Sequence, residues 1–202
     1  PMIEVSIEAK SRNLDLLQYD SLIFTSKNAV SYVKQYDYSE FLDKKCFAIG
    51  DSTKAALEEI GFHDIHNAHN DIEGLVSAVL ESESSASLYF RGETITKDLK
   101  EEVSCDEMVC YRVIGAKRFS KDLVEKLQRG EIKTILFFSE NTANVFLSLC
   151  AKYEIANFLK ETTILTISTK LSRSIGARVK TNIKSFEGDS KLLIELINTL
   201  YV

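Results

Sequence analysis

Two serines, Ser26 and Ser139, each follow an apolar run and each stand two residues before an asparagine, Asn28 and Asn141. Apolar run, Ser-x-Asn, then an amphipathic stretch reads as a strand that ends in a turn and opens a helix, with Ser or Asn as the N-cap. The unpaired backbone N–H groups at such a helix start, reinforced by the helix dipole, attract anions. Thr142 shares the start at Ser139, Gly50 with Thr53 and Ser168 with Thr169 lie at two further helix starts of the same kind, and Arg91 adds a cation. A plain cap accounts for any one of these residues as well as an anion contact does. One such contact contributes only about 0.3–2 kcal/mol, so several would have to act together, and the two copies suggest two similar units facing one another across a cleft.

Other chemistries find little support. His63, His66 and His69 recur every three residues but fall in a strand and loop, where that spacing does not gather them on one face, so they read as solvated loop residues. Cys46, Cys105, Cys110 and Cys150 match no zinc spacing and form no C-x-x-C pair, and Cys46 and Cys110 sit in apolar strand-like runs as small hydrophobes. Glu81 with Glu83, and Glu101 with Glu102, read as solvated charges. No glycine-rich nucleotide loop is present. The net charge of −5 and the lack of a basic run argue against a nucleic-acid or anionic-membrane partner. No apolar segment approaches the ~20 residues that span a bilayer. Unpaired cysteines point to a reducing, cytoplasmic setting. Nothing demands an oligomer, so a monomer is expected.

The elements that must position these residues come as a repeat. Without a gap, Phe24, Ser26 and Asn28 fall on Phe137, Ser139 and Asn141, and further along Asp71, Leu75, Val76 and Val79 match Asp189, Leu193, Ile194 and Ile197. Gly61 and Gly176 close corresponding helices. Short strands at 21–25, 46–50, 62–66 and 87–92 alternate with helices at 28–35, 52–60, 71–80 and 94–103. The second half follows with strands at 134–138, 163–167 and 179–184 and helices at 120–129, 141–152, 169–175 and 189–200. This alternation predicts α/β architecture with parallel sheets. Residues 2–8 and 108–114 are extended apolar strands of one kind, read as paired connectors. The expected division is one continuous domain over 12–104, a second over 116–202, and connectors at 1–11 and 105–115. The first half has a strand and helix at 88–103 that the second half does not repeat, so the second domain is expected to lack an N-terminal strand and helix, or to be a naturally shortened one.

The segment Tyr19-Asp20-Ser-Leu-Ile-Phe-Thr-Ser-Lys-Asn-Ala-Val30 resembles the first repeat of the uroporphyrinogen-III synthase family, Y-D-x-x-I-F-T-S-x-N-A-V. Further signatures follow in the family's order over nearly the whole chain. Ala48-Ile-Gly-Asp-Ser-Thr53 resembles its I-G-x-x-T turn, Glu73-Gly-Leu75 its E-G-L helix start, and Leu88-Tyr-Phe-Arg-Gly92 its strand ending in R-G. Val109-Cys-Tyr-Arg112 resembles its V-Y-R connector, and Leu136-Phe-Phe-Ser139 its second F-T-S. Two departures fall in the second half: Phe138 stands where the first copy has Thr25, and the second I-G-x-x-T turn has become Ile167-Ser168-Thr169-Lys170. The resemblance implies two flavodoxin-like parallel-sheet domains joined by a two-stranded antiparallel connector, and it adds Thr25 and Gly92 to the candidate substrate contacts.

It also implies an activity. Family members are cofactor-independent lyases that close hydroxymethylbilane, a linear tetrapyrrole with eight carboxylates, into uroporphyrinogen III with loss of water and inversion of the last ring through a spiro intermediate. No cofactor or metal is then required, because the electron-rich pyrrole readily loses its protonated hydroxyl. The family's V-Y-R strand points to Tyr111 as the catalytic group. A phenol of pKa near ~10 stays protonated and can donate to the departing hydroxyl. A packing role for Tyr111 in the strand ladder is the structural alternative, and a non-enzymatic anion-binding or regulatory module is the functional one.

Overall fold

In the computed structural model, residues 1–9, 15–69, 71–82, 84–95, 97–186 and 197–198 are described. The chain divides into two compact units, a first unit of Val5–Ile114 and a second of Pro1–Glu4 with Gly115–Val202.

The first unit is built on β2 (Ser21–Phe24), β3 (Lys45–Ala48), β4 (Ile65–Asn67), β5 (Ser87–Gly92) and β6 (Cys105–Gly115), all paired in parallel. With β1 (Ile3–Ile7) beside β6 they form a six-stranded sheet of order β1-β6-β5-β2-β3-β4. A parallel sheet needs cover on both faces, and its strands are accordingly apolar on both sides. Leu22, Phe24, Cys46, Ala48, Leu88 and Phe90 point into one core with Ala29, Val30 and Val33 of α1 (Lys27–Val33) and Leu57 of α2 (Asp51–Glu59). The alternate residues Ile23, Phe47 and Tyr89 point into the other, with Leu75, Val76 and Val79 of α3 (Ile72–Glu81). Leu22, Ile23 and Phe24 are fully buried, and each contributes about 1.5–3 kcal/mol of hydrophobic stabilisation.

The Tyr19-Asp20 pair has a mechanical role here. The Asp20 carboxylate accepts hydrogen bonds from the Ser85 N–H (3.0 Å), the Ser85 hydroxyl (2.6 Å) and the Ala86 N–H (3.1 Å), which fixes the entry to β5 beside β2. The Tyr19 hydroxyl donates to Asp106 at the start of β6. The helix closure at Gly61 is also built as read: Gly61, at φ 99°, donates to Glu58 O, and the Phe62 N–H reaches back to Leu57 O.

The second unit holds the parallel strands β7 (Thr134–Phe137), β8 (Thr163–Thr166) and β9 (Asn182–Ser185), with α4 (Lys121–Gln128), α5 (Glu140–Lys152) and α6 (Thr169–Gly176). Phe119, Phe137, Phe146, Leu149, Cys150, Ile164 and Ile175 lie in its core. Among the described residues β7 is an edge strand and only its last residue, Phe137, is buried, whereas all four residues of its counterpart β2 are. Among the described residues no helix is long and apolar enough to cross a membrane.

Some expectations give way. The helix read at 94–103 is a single 3-10 turn, Leu99–Glu101, started by the Asp98 side chain accepting from the Lys100 N–H at 3.0 Å. The β-branched stretch ahead of it is poor helix material. The strand read from 179 begins only at Asn182, because the Thr181 hydroxyl is tied to the carbonyls of Leu159 and Thr162. Gly176 is the last residue inside α6, not a left-handed residue beyond it. The stretch read as a connector over 105–115 is also in the sheet, since Cys105 to Tyr111 pair with β5. Apart from the helical residues 197–198, the helix expected over 189–200 lies outside the described residues, as do its matches Asp189, Leu193 and Ile194, Glu83, and the boundary at residue 12.

Candidate active site

In parallel α/β sheets ligands bind beyond the carboxyl ends of the strands, where helix N-termini gather. In the first unit those ends carry Thr25 after β2, Gly50 after β3, and Arg91 and Gly92 at the end of β5. Ser26 caps α1, its Oγ accepting from the Asn28 N–H at 3.2 Å. Gly50 opens α2 at φ 86°, a left-handed angle that only glycine takes without strain. Thr53, in the first turn of α2, is buried at 2% exposure, so its hydroxyl faces inward.

At this edge three strand ends converge. The Thr25 hydroxyl and the Tyr89 phenol are hydrogen-bonded at 3.0 Å. Tyr89 is buried, and burial foremost, with the neighbouring Tyr111 and Glu107 adding to it, pushes its phenol above the ordinary value, so it stays protonated. Tyr111 is half-buried and packs against the core that contains Phe24 and Phe90. It stands opposite Gly92 in the β5–β6 ladder, where the register slips between Arg91 and Gly92. Its carbonyl accepts from the Glu93 N–H at 2.8 Å. Of the two phenols, Tyr111 is the more open.

Arg91 is not a free cation. Its Nε lies 2.9 Å from Glu107 Oε1, too far out of line to be a hydrogen bond there, while its Nη2 donates to Glu107 Oε2 at 3.3 Å and its Nη1 to Gly92 O at 2.9 Å. Lys100 adds a second cation 3.7 Å from Glu107. Tyr89 and Glu107 escaped the sequence reading. Glu107 lies sixteen residues from Arg91, and only the parallel register Tyr89↔Glu107 brings it near. Tyr89 carried one signal, a lone polar group within the apolar run of β5.

In the second unit Ser139 caps α5, accepting from the Thr142 N–H at 3.2 Å, and its hydroxyl meets Thr142 Oγ1 at 2.8 Å. Asn141 is exposed in the first turn. Ser168 caps α6 through the Leu171 N–H at 3.2 Å, and Thr169 lies 3.4 Å from the Ser185 hydroxyl. The lost glycine of the second turn has a reason: Ser168 sits at φ −154°, ordinary extended backbone, where Gly50 sits at 86°. The exposed Phe138 follows β7 and the exposed Ile167 follows β8. Each unit thus offers helix starts at the carboxyl edge of its own sheet.

The thiols take no part. All four are free, and burial pushes Cys105 up to about 11 and Cys110 and Cys150 up to about 12, with Cys46 raised further. Of the histidines, His69 pairs with Asp51 at 3.1 Å on the surface.

A family model described as uroporphyrinogen-III synthase HemD matches residues 1–181. Among solved structures, the chain is similar to uroporphyrinogen-III synthetase from Helicobacter pylori, with a TM-score of 0.70 at 19% identity over 98% of this chain and 91% of that one. It is also similar to a mutant uroporphyrinogen III synthase from Thermus thermophilus, with a TM-score of 0.60 at 13% identity over 100% of this chain and 88% of that one. At these identities the structural likeness speaks for the fold. No curated protein sequence matches the chain.

Proposed function

The chain belongs to the uroporphyrinogen-III synthase family, and from that premise we propose that Tyr111 is its proton donor and that the helix starts described above take the carboxylate arms of its substrate. The activity is that of a cofactor-independent lyase of tetrapyrrole biosynthesis, closing hydroxymethylbilane to uroporphyrinogen III with inversion of the last ring and loss of water.

The observation that carries the residue assignment is the half-buried Tyr111 phenol, whose hydroxyl end lies against Gly92 at the carboxyl end of β5. Tyr89 is enclosed with its hydroxyl engaged, which leaves Tyr111 as the phenol open to a ligand. Donation from Tyr111 to the substrate hydroxyl lets the C–O bond break and water leave, the electron pair of the electron-rich pyrrole replacing it. The substituted α-carbon of the last ring then attacks the freed methylene to give the spiro intermediate, the bond from that carbon to its original bridging methylene breaks, and this methylene re-bonds to the ring's other α-carbon, whose displaced proton restores the phenol. The substrate contacts in this reading are Thr25, Ser26, Asn28, Gly50, Thr53, Gly92, Ser139, Asn141, Thr142, Ser168 and Thr169, through the hydroxyls and the uncapped N–H groups at these helix starts and strand ends. Arg91, held by Glu107, orders the end of β5 more than it meets the ligand.

The domain organisation belongs to the same reading: flavodoxin-like domains over 12–104 and 116–202, with residues 1–11 and 105–115 connecting them. Two backbone bonds support an antiparallel connector. Ala116 N–H donates to Met2 O and Glu8 N–H to Cys110 O, so one strand advances as the other retreats by the same number of residues. The protein acts as a monomer in the cytoplasm, without a nucleic-acid or membrane partner, a setting that four free thiols favour.

The test is Tyr111→Phe, assayed for the ring-inverted product apart from the uninverted macrocycle that forms spontaneously. A sole general acid is worth roughly 10²–10⁴-fold, and an easily leaving hydroxyl puts the expected loss at the low end, with KM within a few-fold. A folded variant at the wild-type rate removes Tyr111 as the donor. Binding of hydroxymethylbilane with no turnover by the wild-type chain would favour the non-enzymatic alternative.

A further inference from the structure

We infer that Gly92 is a positioning residue for Tyr111: with the register slip beside it, its bare Cα forms the seat that holds the phenol at the carboxyl edge of the sheet. The inference rests on the reading of Tyr111 as proton donor.

Three observations carry it. The first is the ladder. From Arg91↔Val109 to Gly92↔Tyr111, β5 advances one residue while β6 advances two, so Cys110 is the extra residue of a bulge. In an unbroken strand successive side chains point to opposite faces, and Tyr111 would lie opposite Cys110. Instead Met108, Cys110 and Tyr111 all pack against the core that contains Leu88 and Phe90. A bulge re-aims the side chain that follows it, and here that side chain is the phenol.

The second is contact. A Cβ on Gly92 would lie 2.9 Å from Tyr111 Cζ, 3.0 Å from Cε2 and 3.1 Å from Oη. It is therefore the hydroxyl end of the ring that covers Gly92, not its root. The third is backbone freedom. Gly92 is absent from the positive-φ glycines, which are Gly50, Gly61 and Gly130 among the described residues, so the backbone accepts alanine without strain. What excludes a methyl group at 92 is the phenol itself. An added Cβ meets the far end of a side chain that can swing away, and the β5–β6 pairing is left in place.

The experiment compares Gly92→Ala, Tyr111→Phe and the double variant. Gly92→Ala should lower kcat for the ring-inverted product to within about threefold of Tyr111→Phe with KM within about threefold of wild type, because a displaced donor is lost from the transition state. The double variant should be no slower than Tyr111→Phe, since two changes that remove one interaction do not add. Ring-current shifts give a readout independent of turnover. The Gly92 α-protons should be displaced upfield in wild type and in Tyr111→Phe. In Gly92→Ala the Tyr111 ring resonances should move while those of the stacked pair Phe24 and Phe90 hold. Unshifted Gly92 α-protons in the wild-type protein overturn the inference whether or not any variant folds. A wild-type rate in Gly92→Ala beside a slow Tyr111→Phe, or a double variant slowed by the product of the two single effects, overturns it and leaves the donor reading standing. A wild-type rate in Tyr111→Phe defeats the donor reading and the inference with it.

Discussion

The Thr25–Tyr89 hydrogen bond shows how a residue can serve a site without touching what binds there. Tyr89 is 3% exposed, and its hydroxyl meets Thr25 at 3.0 Å. Removing one partner leaves the other short of a bond inside the protein, at a cost of about 1–3 kcal/mol, whereas removing both can be nearly neutral. Thr25→Val should therefore destabilise the protein by about that amount in chemical denaturation, and Thr25→Val with Tyr89→Phe should recover much of it. Simple addition of the two single losses would mean the hydroxyls are not coupled. Asp20 makes a pH-dependent contribution. Its three hydrogen bonds, the Ser85 hydroxyl first, hold its carboxyl below the ordinary value. A depressed carboxylate stabilises the fold above the unfolded pKa of about 3.9, and that stability fades as pH falls through the folded value. Asp20→Asn should lower Tm at neutral pH, and the gap from wild type should narrow below about pH 4. A gap constant across that range would assign the loss to geometry and not to charge.

Among the elements, the two turns that precede α2 and α6 make the same link with different backbones. Gly50 holds φ 86° and Ser168 holds −154°. At φ 86° and ψ 144° Gly50 holds a conformation that residues with a Cβ scarcely enter, at a cost of about 1–3 kcal/mol, so Gly50→Ala should cost about that in denaturation, while Ser168→Gly, which loses only a cap, should cost a few tenths. Equal losses would mean the φ difference has no energetic weight. The helix starts were legible in sequence because the signal is local: an apolar run, a capping side chain, then helical periodicity. The sheet order was only partly legible, since strand existence follows from composition but register depends on partners far along the chain. That is why Arg91 read as a free cation. Its partner Glu107 is visible only once β5 and β6 are laid side by side. The slip that re-aims Tyr111 left no mark either, because residues 108–114 read as one continuous extended apolar strand. The turn over 99–101 was misread for the opposite reason. Buried Leu99 and Val103 imitate a helical face, but they anchor one turn held by Asp98.

At the scale of the whole molecule the acidic charge and the polycarboxylate substrate have to be reconciled. The chain carries a net charge of −5, which repels a ligand with eight carboxylates at long range. The candidate contacts are backbone N–H groups and capping hydroxyls, which carry fixed partial charges and act only within hydrogen-bond distance. Arg91, the one cation the sequence suggests for the contacts, is neutralised by Glu107. These two parts of the field respond differently to salt. The Debye length shrinks from about 30 Å at 0.01 M to about 10 Å at 0.1 M, so added salt removes the long-range repulsion first and screens close contacts much less. A site built on Lys and Arg side chains would lose affinity over that range. A site built on helix starts in an acidic protein should hold its KM or lower it. The measurement is KM for hydroxymethylbilane between about 0.01 and 0.1 M monovalent salt at fixed pH, with kcat followed separately. A KM that climbs steeply with salt would mean that side-chain cations hold the carboxylate arms, and the lysines nearest the strand ends, Lys27 and Lys170, would then be the first to replace with methionine.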